Sequence, residues 1–215
     1  MDQTRRRRVP AMAPEDRRAA LIAATIPLLH EHGLDVSTRQ IAAAAGVAEG
    51  TIFGVFKDKN SLLVAAVIEA LDPQPTIDAM AAIDPGLTLR ERLGRAADLV
   101  VERFAGNAPL MTEARKLLMS SGDSVAIARM ATSRERLLDA LTAVVEPSAG
   151  ELRKPPAATA RLLLVFCSAN AFGPFGDPVG VDGREMVSLL LDGLLIIPAG
   201  DKASAVPLLG KTDKC

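Results

Sequence analysis

Val36-Ser-Thr-Arg-Gln-Ile-Ala-Ala-Ala-Ala-Gly-Val-Ala-Glu-Gly-Thr-Ile-Phe-Gly-Val-Phe-Lys-Asp-Lys-Asn-Ser-Leu-Leu63 sets helix starts and a glycine stop among apolar repeats. Ser37 and Thr38 stand before an apolar-periodic run, where a hydroxyl accepts a bond from an orphan backbone N–H and starts a helix. Ile41, Ala42 and Ala45 then share one face. Four alanines, Ala42 to Ala45, keep that helix thin enough for a close neighbour. Gly46 supplies the left-handed residue that ends it, and Val47 plugs the turn into a core. A second helix starts near Ala48 or Glu49 and runs to about Gly54. Ile52 and Phe56, four apart, point inward, and Asp58 caps a third helix through Ser61, Leu62 and Leu63.

Two short helices joined by a tight turn are the layout of a helix-turn-helix, whose second helix enters the major groove of DNA by its N-terminal end. The chemistry of the outward positions agrees. Thr51 can donate to a phosphate or touch a thymine methyl, Glu49 can accept from cytosine N4, and Gly50 permits close approach. Lys57 and Lys59 bring positive charge beside the groove, where phosphate contacts set register. A lone helix-turn-helix spacing also occurs in plain α-helical hairpins; the full ordered string is what makes this one specific.

Those residues resemble the TetR family of transcription regulators. The matching pieces are His32-Gly33, Ser37-Thr38-Arg39, Ile41-Ala42, Ala45-Gly46-Val47, Gly50-Thr51-Ile52-Phe53, Phe56 and Lys59-Asn-Ser-Leu62, within about residues 15 to 70. The resemblance implies that Thr38, Arg39, Thr51 and Lys59 touch the DNA backbone and that Glu49, Gly50 and Gly54 lie toward the bases. With Phe53 and Lys57 these make up the candidate DNA-binding set. The chain departs from the family pattern where it carries Phe53 in place of the usual tyrosine and Val55 in place of histidine or tyrosine, so two phosphate anchors are missing. Gly54 presents nothing to a base. Pro27, inside a first helix expected over Arg17–His32, predicts a kink.

Bulk properties bound the rest. The 215 residues are 49% hydrophobic and 24% charged, a globular composition with room for one or two cores. No apolar run is long enough for a membrane span, and the start does not read as a secretion signal, so a cytoplasmic location is expected. Nine Lys and Arg stand against seven Asp and Glu up to Lys59, and sixteen against nineteen beyond it, for a net −1. That mild asymmetry rests on Arg5-Arg6-Arg7-Arg8, which is either a solvated tail or an arm along phosphates. Cys167, among Leu162 to Phe166, reads as a small buried hydrophobe, and Cys215 ends the chain. His30 and His32 lie two apart on a helix and face different sides, so no metal site is expected. No nucleophile–base pair, phosphate-cradling glycine loop or nucleophile elbow is found; neither an enzyme activity nor a cofactor is expected.

Downstream, Asp72-Pro-Gln-Pro75 marks the domain junction. A short helix is expected over Thr76–Ala82, another from Leu89 to Phe104 stopped by Gly106-Asn-Ala-Pro109, another over Leu110–Met119, and a long one capped by Ser124 and reaching Val145. Pro147 to Pro156 is a break, Ala157 to Phe172 a helix, Gly173 to Gly180 a loop, and Met186 to Ile197 the last helix. No segment alternates persuasively, so the class is all-α: a basic arm over 1–14, a helix-turn-helix domain over 15–72, a larger helical ligand-binding and dimerisation domain over 73–198 and a tail over 199–215. The last two helices are apolar nearly all round, which calls for cover on a second side. A homodimer supplies it, as the resemblance also implies, and Gly193 is placed at that seam. Phe104, Met111, Arg115, Met119, Met130, Arg134, Phe166 and Asn170 have the mixed chemistry of a small-molecule pocket, although such methionines and phenylalanines are more often plain core. The absence of Trp and Tyr points to an apolar or amphipathic effector. The function expected is a ligand-responsive, sequence-specific repressor that binds a double-stranded DNA operator as a homodimer. The alternative is a degenerate relative that senses a ligand or binds a protein without reading DNA.

Overall fold

Capping and apolar periodicity place most of the helices. The computed structural model describes residues 13–171 and 182–194. They form α1 (Pro14–His32), α2 (Thr38–Ala44), α3 (Gly50–Phe53), α4 (Lys59–Ala70), α5 (Gln74–Ala81), α6 (Leu89–Ser121), α7 (Ser124–Val145), α8 (Pro156–Ala171) and α9 (Gly183–Leu194), with 3-10 turns at Gly33–Asp35 and Glu146–Glu151. There is no β-strand among the described residues, and the class is all-α. The arm with Arg5 to Arg8, the 173–180 loop, the tail and Cys215 lie outside them. Two compact units form: residues up to Ala79 with Glu102–Leu137, and Met80–Val101 with the chain from Leu138 on.

The first unit is built around α1. Leu21, Thr25 and Leu29 repeat every four residues and are buried, facing α4 and α2. Thr25 reaches the interior without an orphan hydroxyl because its Oγ1 donates to the Leu21 carbonyl at 2.7 Å,. Helix α1 runs unbroken through Pro27, whose ring is on the exposed side. The Ala23 carbonyl that loses its intrahelical donor is therefore left beside water. The core joins Leu21, Leu29, Val36, Ile41, Ile52, Phe56, Leu62, Leu63 and Val67 to Leu110, Ala114, Leu117 and Leu118 of α6 and Ala126 of α7. The first unit thus extends past the junction expected at residues 72–75, where α4 does give way to α5.

Two expectations fail for identifiable reasons. Pro109 does not stop a helix; α6 is continuous over 33 residues. Leu110, Ala114, Leu117 and Leu118, spaced four, three and one, are drawn into the core together, and their burial outweighs the roughly 3 kcal/mol cost of an interior proline. Pro109 and Ala105 both face solvent, so the lost bond is hydrated. The second correction concerns α7. Asp123, not Ser124, caps it, its carboxylate accepting from the N–H groups of Val125 and Ala126 at 3.0 Å each. Ser124 is already the first helical residue. Helix α6 opens on Thr88-x-x-Glu91, in which the Glu91 carboxylate accepts from both the N–H and the hydroxyl of Thr88,. Those bonds hold the Glu91 carboxyl below its usual range.

In the second unit Leu93, Ala96, Ala97, Val100, Leu141, Val145, Leu163, Leu164, Val187 and Leu191 are all buried, and α8 packs on α9. Gly183 lets α9 start against α6, since a Cβ there would stand 2.5 Å from Asp98 Oδ1 and 2.8 Å from the Asp98 backbone N. Arg92 is 5% exposed. Its guanidinium donates to the carbonyls of Val144 (3.2 Å) and Leu87 and to Ser148 Oγ (2.8 Å). It gathers the α6 entry loop and the α7 exit into one network. Arg92→Ala strands those acceptors, and the unfolding free energy falls by about 2–4 kcal/mol in urea titration.

Cys167 is fully buried, and burial pushes its thiol from the ordinary value near 9 up to about 12,. The folded chain holds this proton more tightly than the unfolded chain. The stability tied to it is therefore whole below about pH 9 and is lost as pH climbs toward 12. Cys167→Ala is expected to flatten the alkaline fall in stability between about pH 8.5 and 10.5, read as denaturation midpoints of the two proteins across that range.

Candidate nucleic-acid interface

Helix α2 begins with a reciprocal cap. The Gln40 N–H donates to Ser37 Oγ at 3.2 Å, and the Ser37 N–H donates to Gln40 Oε1 at 2.8 Å. The helix ends on Gly46 at φ 64°, with the Val47 N–H on the Ala42 carbonyl (3.0 Å) and the Gly46 N–H on the Ala43 carbonyl (3.2 Å). This paired closure needs the left-handed residue and leaves Val47 against the core,. Helix α4 begins on a second reciprocal cap, with the Ser61 N–H on Asp58 Oδ1 at 2.7 Å and the Asp58 N–H on Ser61 Oγ at 3.2 Å. Both ends of the turn and the entry to α4 are therefore set by local chemistry.

Between them, α3 is a single turn whose rotation is fixed by burial. Ile52 is 0% and Phe56 3% exposed. The opposite side carries Glu49, Gly50, Phe53 and Gly54, all exposed, with Thr51 half-buried at its edge. Arg39 is exposed on α2, and Lys57 is exposed in the α3–α4 turn. Val55, which stands where the family pattern has histidine or tyrosine, is half-buried against the core.

Three members of the set hold partners within the fold. Thr38 Oγ1 donates to the Glu49 carboxylate, tying the start of α2 to the start of α3. Lys59 is half-buried, and its Nζ donates to the Leu34 carbonyl at 3.1 Å. Sequence reasoning missed Arg18. Its guanidinium lies 4.3 Å from the centroid of the Phe56 ring,, holding a cation near Lys57 at the rim of an open cleft of about 280 Å³. The signal available was the Arg17-Arg18 pair in the first turns of α1, which the periodicity of that helix does not require.

The candidate ligand-binding residues differ in their surroundings. Met111 and Met130 pack on the first unit's core. Phe104 is half-buried, and Arg115, Met119 and Arg134 are exposed, Met119 at 66%. In the second unit Phe166 is 51% exposed; the side chain of Asn170 lies outside what is described. Among the described residues no cluster of three or more His, Cys, Asp or Glu could hold a metal ion, and no helix is long and apolar enough to cross a membrane.

Residues 21–66 match the model of the bacterial regulatory proteins, tetR family. Over that segment the chain is similar to TetR-family regulators. A curated relative, the HTH-type transcriptional regulator BetI of Cronobacter sakazakii, is 33% identical over 108 residues, covering 50% of this chain and 43% of that protein. The match thus spans less than half the relative's length. Solved structures extend the likeness over most of the chain as one of fold. A bacterial regulatory protein in the tetR family from Rhodococcus RHA1 is 23% identical with a TM-score of 0.60, covering 85% of this chain and 98% of that one. A candidate TetR-family regulator from Mesorhizobium loti reaches a TM-score of 0.66 at 16% identity, covering 86% and 100%. The transcriptional regulator FadR from Bacillus subtilis, solved in complex with stearoyl-CoA, has a TM-score of 0.56 at 16% identity, covering 81% and 95%.

Proposed function

We propose that this protein is a TetR-family regulator: a ligand-responsive, sequence-specific DNA-binding repressor that acts as a homodimer. The observation that carries the reading is the display of α3. Its two large inward residues are buried, while Glu49, Gly50, Phe53 and Gly54 face solvent, flanked by Arg39 and Lys57. That is the surface a recognition helix offers to a major groove, with cations placed for phosphates.

Dimerisation draws support from the second unit. On α8, Leu162, Val165 and Phe166 are 39%, 49% and 51% exposed, and on α9 Leu189 is 67% exposed. Spacings of three and four put the α8 residues in one stripe. Gly193 is exposed one turn beyond Leu189, and a Cβ there would meet nothing within 4 Å. A second copy covering this stripe removes a contiguous apolar patch from water and supplies the second recognition helix that a two-half-site operator needs. Effector binding is supported, within the first unit, by the mixture of soft apolar and cationic groups at Phe104, Met111, Arg115, Met119, Met130 and Arg134. The effector of this reading is apolar or amphipathic and acts by binding more tightly the state that does not fit the operator.

Selection of genomic fragments by purified protein, followed by a salt titration of the enriched duplex, tests the reading. Sequence-specific enrichment and a steep salt slope are expected, with Lys57→Ala weakening all sequences and lowering the slope by about one. Failure to enrich any fragment would favour the ligand-sensing or protein-binding alternative. In the same preparation, Phe166→Glu places a charge in the stripe and is expected to convert a dimer to a monomer in sedimentation; an unchanged mass would remove this seam from the proposal.

A further inference from the structure

The side chains on the outward face of α3 are few, and most are accounted for. Gly50 and Gly54 have none. The Glu49 carboxylate already accepts from the Thr38 hydroxyl. Thr51 is half-buried. What remains is Phe53, a large apolar ring 54% exposed and held outward because Ile52 beside it is fully buried. The fold does not account for the bare position next to it. Gly50 has no positive φ, and a Cβ there would meet nothing within 4 Å. A helical glycine without a packing reason is less stable than alanine, so its missing side chain points to a surface that must come close from outside.

We propose that Phe53 is a specificity-determining residue that reads the 5-methyl group of a thymine in the operator. This deepens the DNA-binding reading and rests on it. A phenyl ring has neither donor nor acceptor, so it cannot distinguish bases through hydrogen bonds. The thymine methyl is the one apolar group on a base edge in the major groove. Contact between the two removes both from water. The bare backbone at Gly50 and Gly54 lets α3 sit deep enough for a short residue-to-base distance. A tyrosine here would carry a hydroxyl able to reach a phosphate, whereas phenylalanine exchanges that sequence-neutral contact for an apolar one.

The test starts from the operator obtained by selection with the full-length protein. Each thymine in a half-site is replaced in turn by deoxyuridine, which removes the methyl group and leaves pairing and charge unchanged. One position per half-site is expected to lose about fourfold in affinity, the size of one buried methyl group. Phe53→Ala is expected to bind the thymine and deoxyuridine duplexes equally, while Phe53→Leu, still apolar, keeps part of the preference. Because Phe53 is exposed, both variants should melt like the parent protein; if one does not, the other carries the comparison. The inference is overturned if no thymine responds in the parent protein, or if the same thymine responds as strongly in Phe53→Ala. An absence of any selected sequence overturns the DNA-binding reading itself, and is distinguishable because the parent protein then binds no duplex.

Discussion

The burial of Ile52 and Phe56 is the constraint on which the candidate interface depends. Helix α3 has four residues, too few to be stable by its own hydrogen bonds. Its existence and its rotation both come from elsewhere: two side chains four apart sink into the core, and the turn before it is closed by Gly46 and Val47. Once those inward positions are fixed, the outward ones have no freedom. Glu49, Gly50, Phe53 and Gly54 must face out. The surface proposed to meet DNA is therefore the complement of a packing solution, and its shape is as rigid as the core beneath it.

That dependence explains why so much of this region was legible in the sequence. Ser37, Gly46 and Asp58 act through bonds to backbone groups within five residues, so their roles follow from local spacing. Ile41, Ala42, Ile52 and Phe56 follow from periodicity. Side-chain partnerships were less legible. The Thr38–Glu49 bond joins residues eleven apart, the Lys59–Leu34 bond residues twenty-five apart, and the Arg18–Phe56 stack a still wider pair. Each depends on how α1, α2 and α3 pack, and no linear pattern encodes it. Local spacing shows Glu49 only as an outward acceptor; the fold adds the Thr38 hydroxyl as its partner.

Helix α6 shows the same limit from the other side. Locally, Gly106-Asn-Ala-Pro109 is a helix stop. Asn107 even donates its side-chain amide to the Arg103 carbonyl at 2.8 Å, competing with the backbone as such residues do near helix ends. The stop is overridden because the four core-facing residues that follow keep helical spacing, and one interior proline on the wet side costs less than abandoning their burial. The apolar stripe of α8 was legible in composition but not in extent. Leu162 to Phe166 read as apolar all round, and only the packing of Leu163, Leu164 and Cys167 inward identifies which of them remain to be covered.

The first unit also has the physical means for the ligand response proposed above. Leu110, Ala114, Leu117 and Leu118 of α6 belong to the same apolar cluster as Ile41 and Ile52. Arg103 of α6 donates to the Leu71 and Asp72 carbonyls at the C-terminal end of α4, where a cation also meets the negative end of the helix dipole. Arg136 of α7 holds the Asp72 carboxylate at 3.2 Å and the Gln74 side chain. A shift of α6 or α7 therefore cannot leave α4 untouched. It either drags the end of α4 with it or breaks bonds to carbonyls that have few other donors. Since α4 packs on α1, and α1 on α2, the presentation of α3 is mechanically part of whatever moves those two helices. Close packing makes such a unit switch between arrangements rather than deform smoothly, which is the property an effector-controlled fit to two half-sites requires.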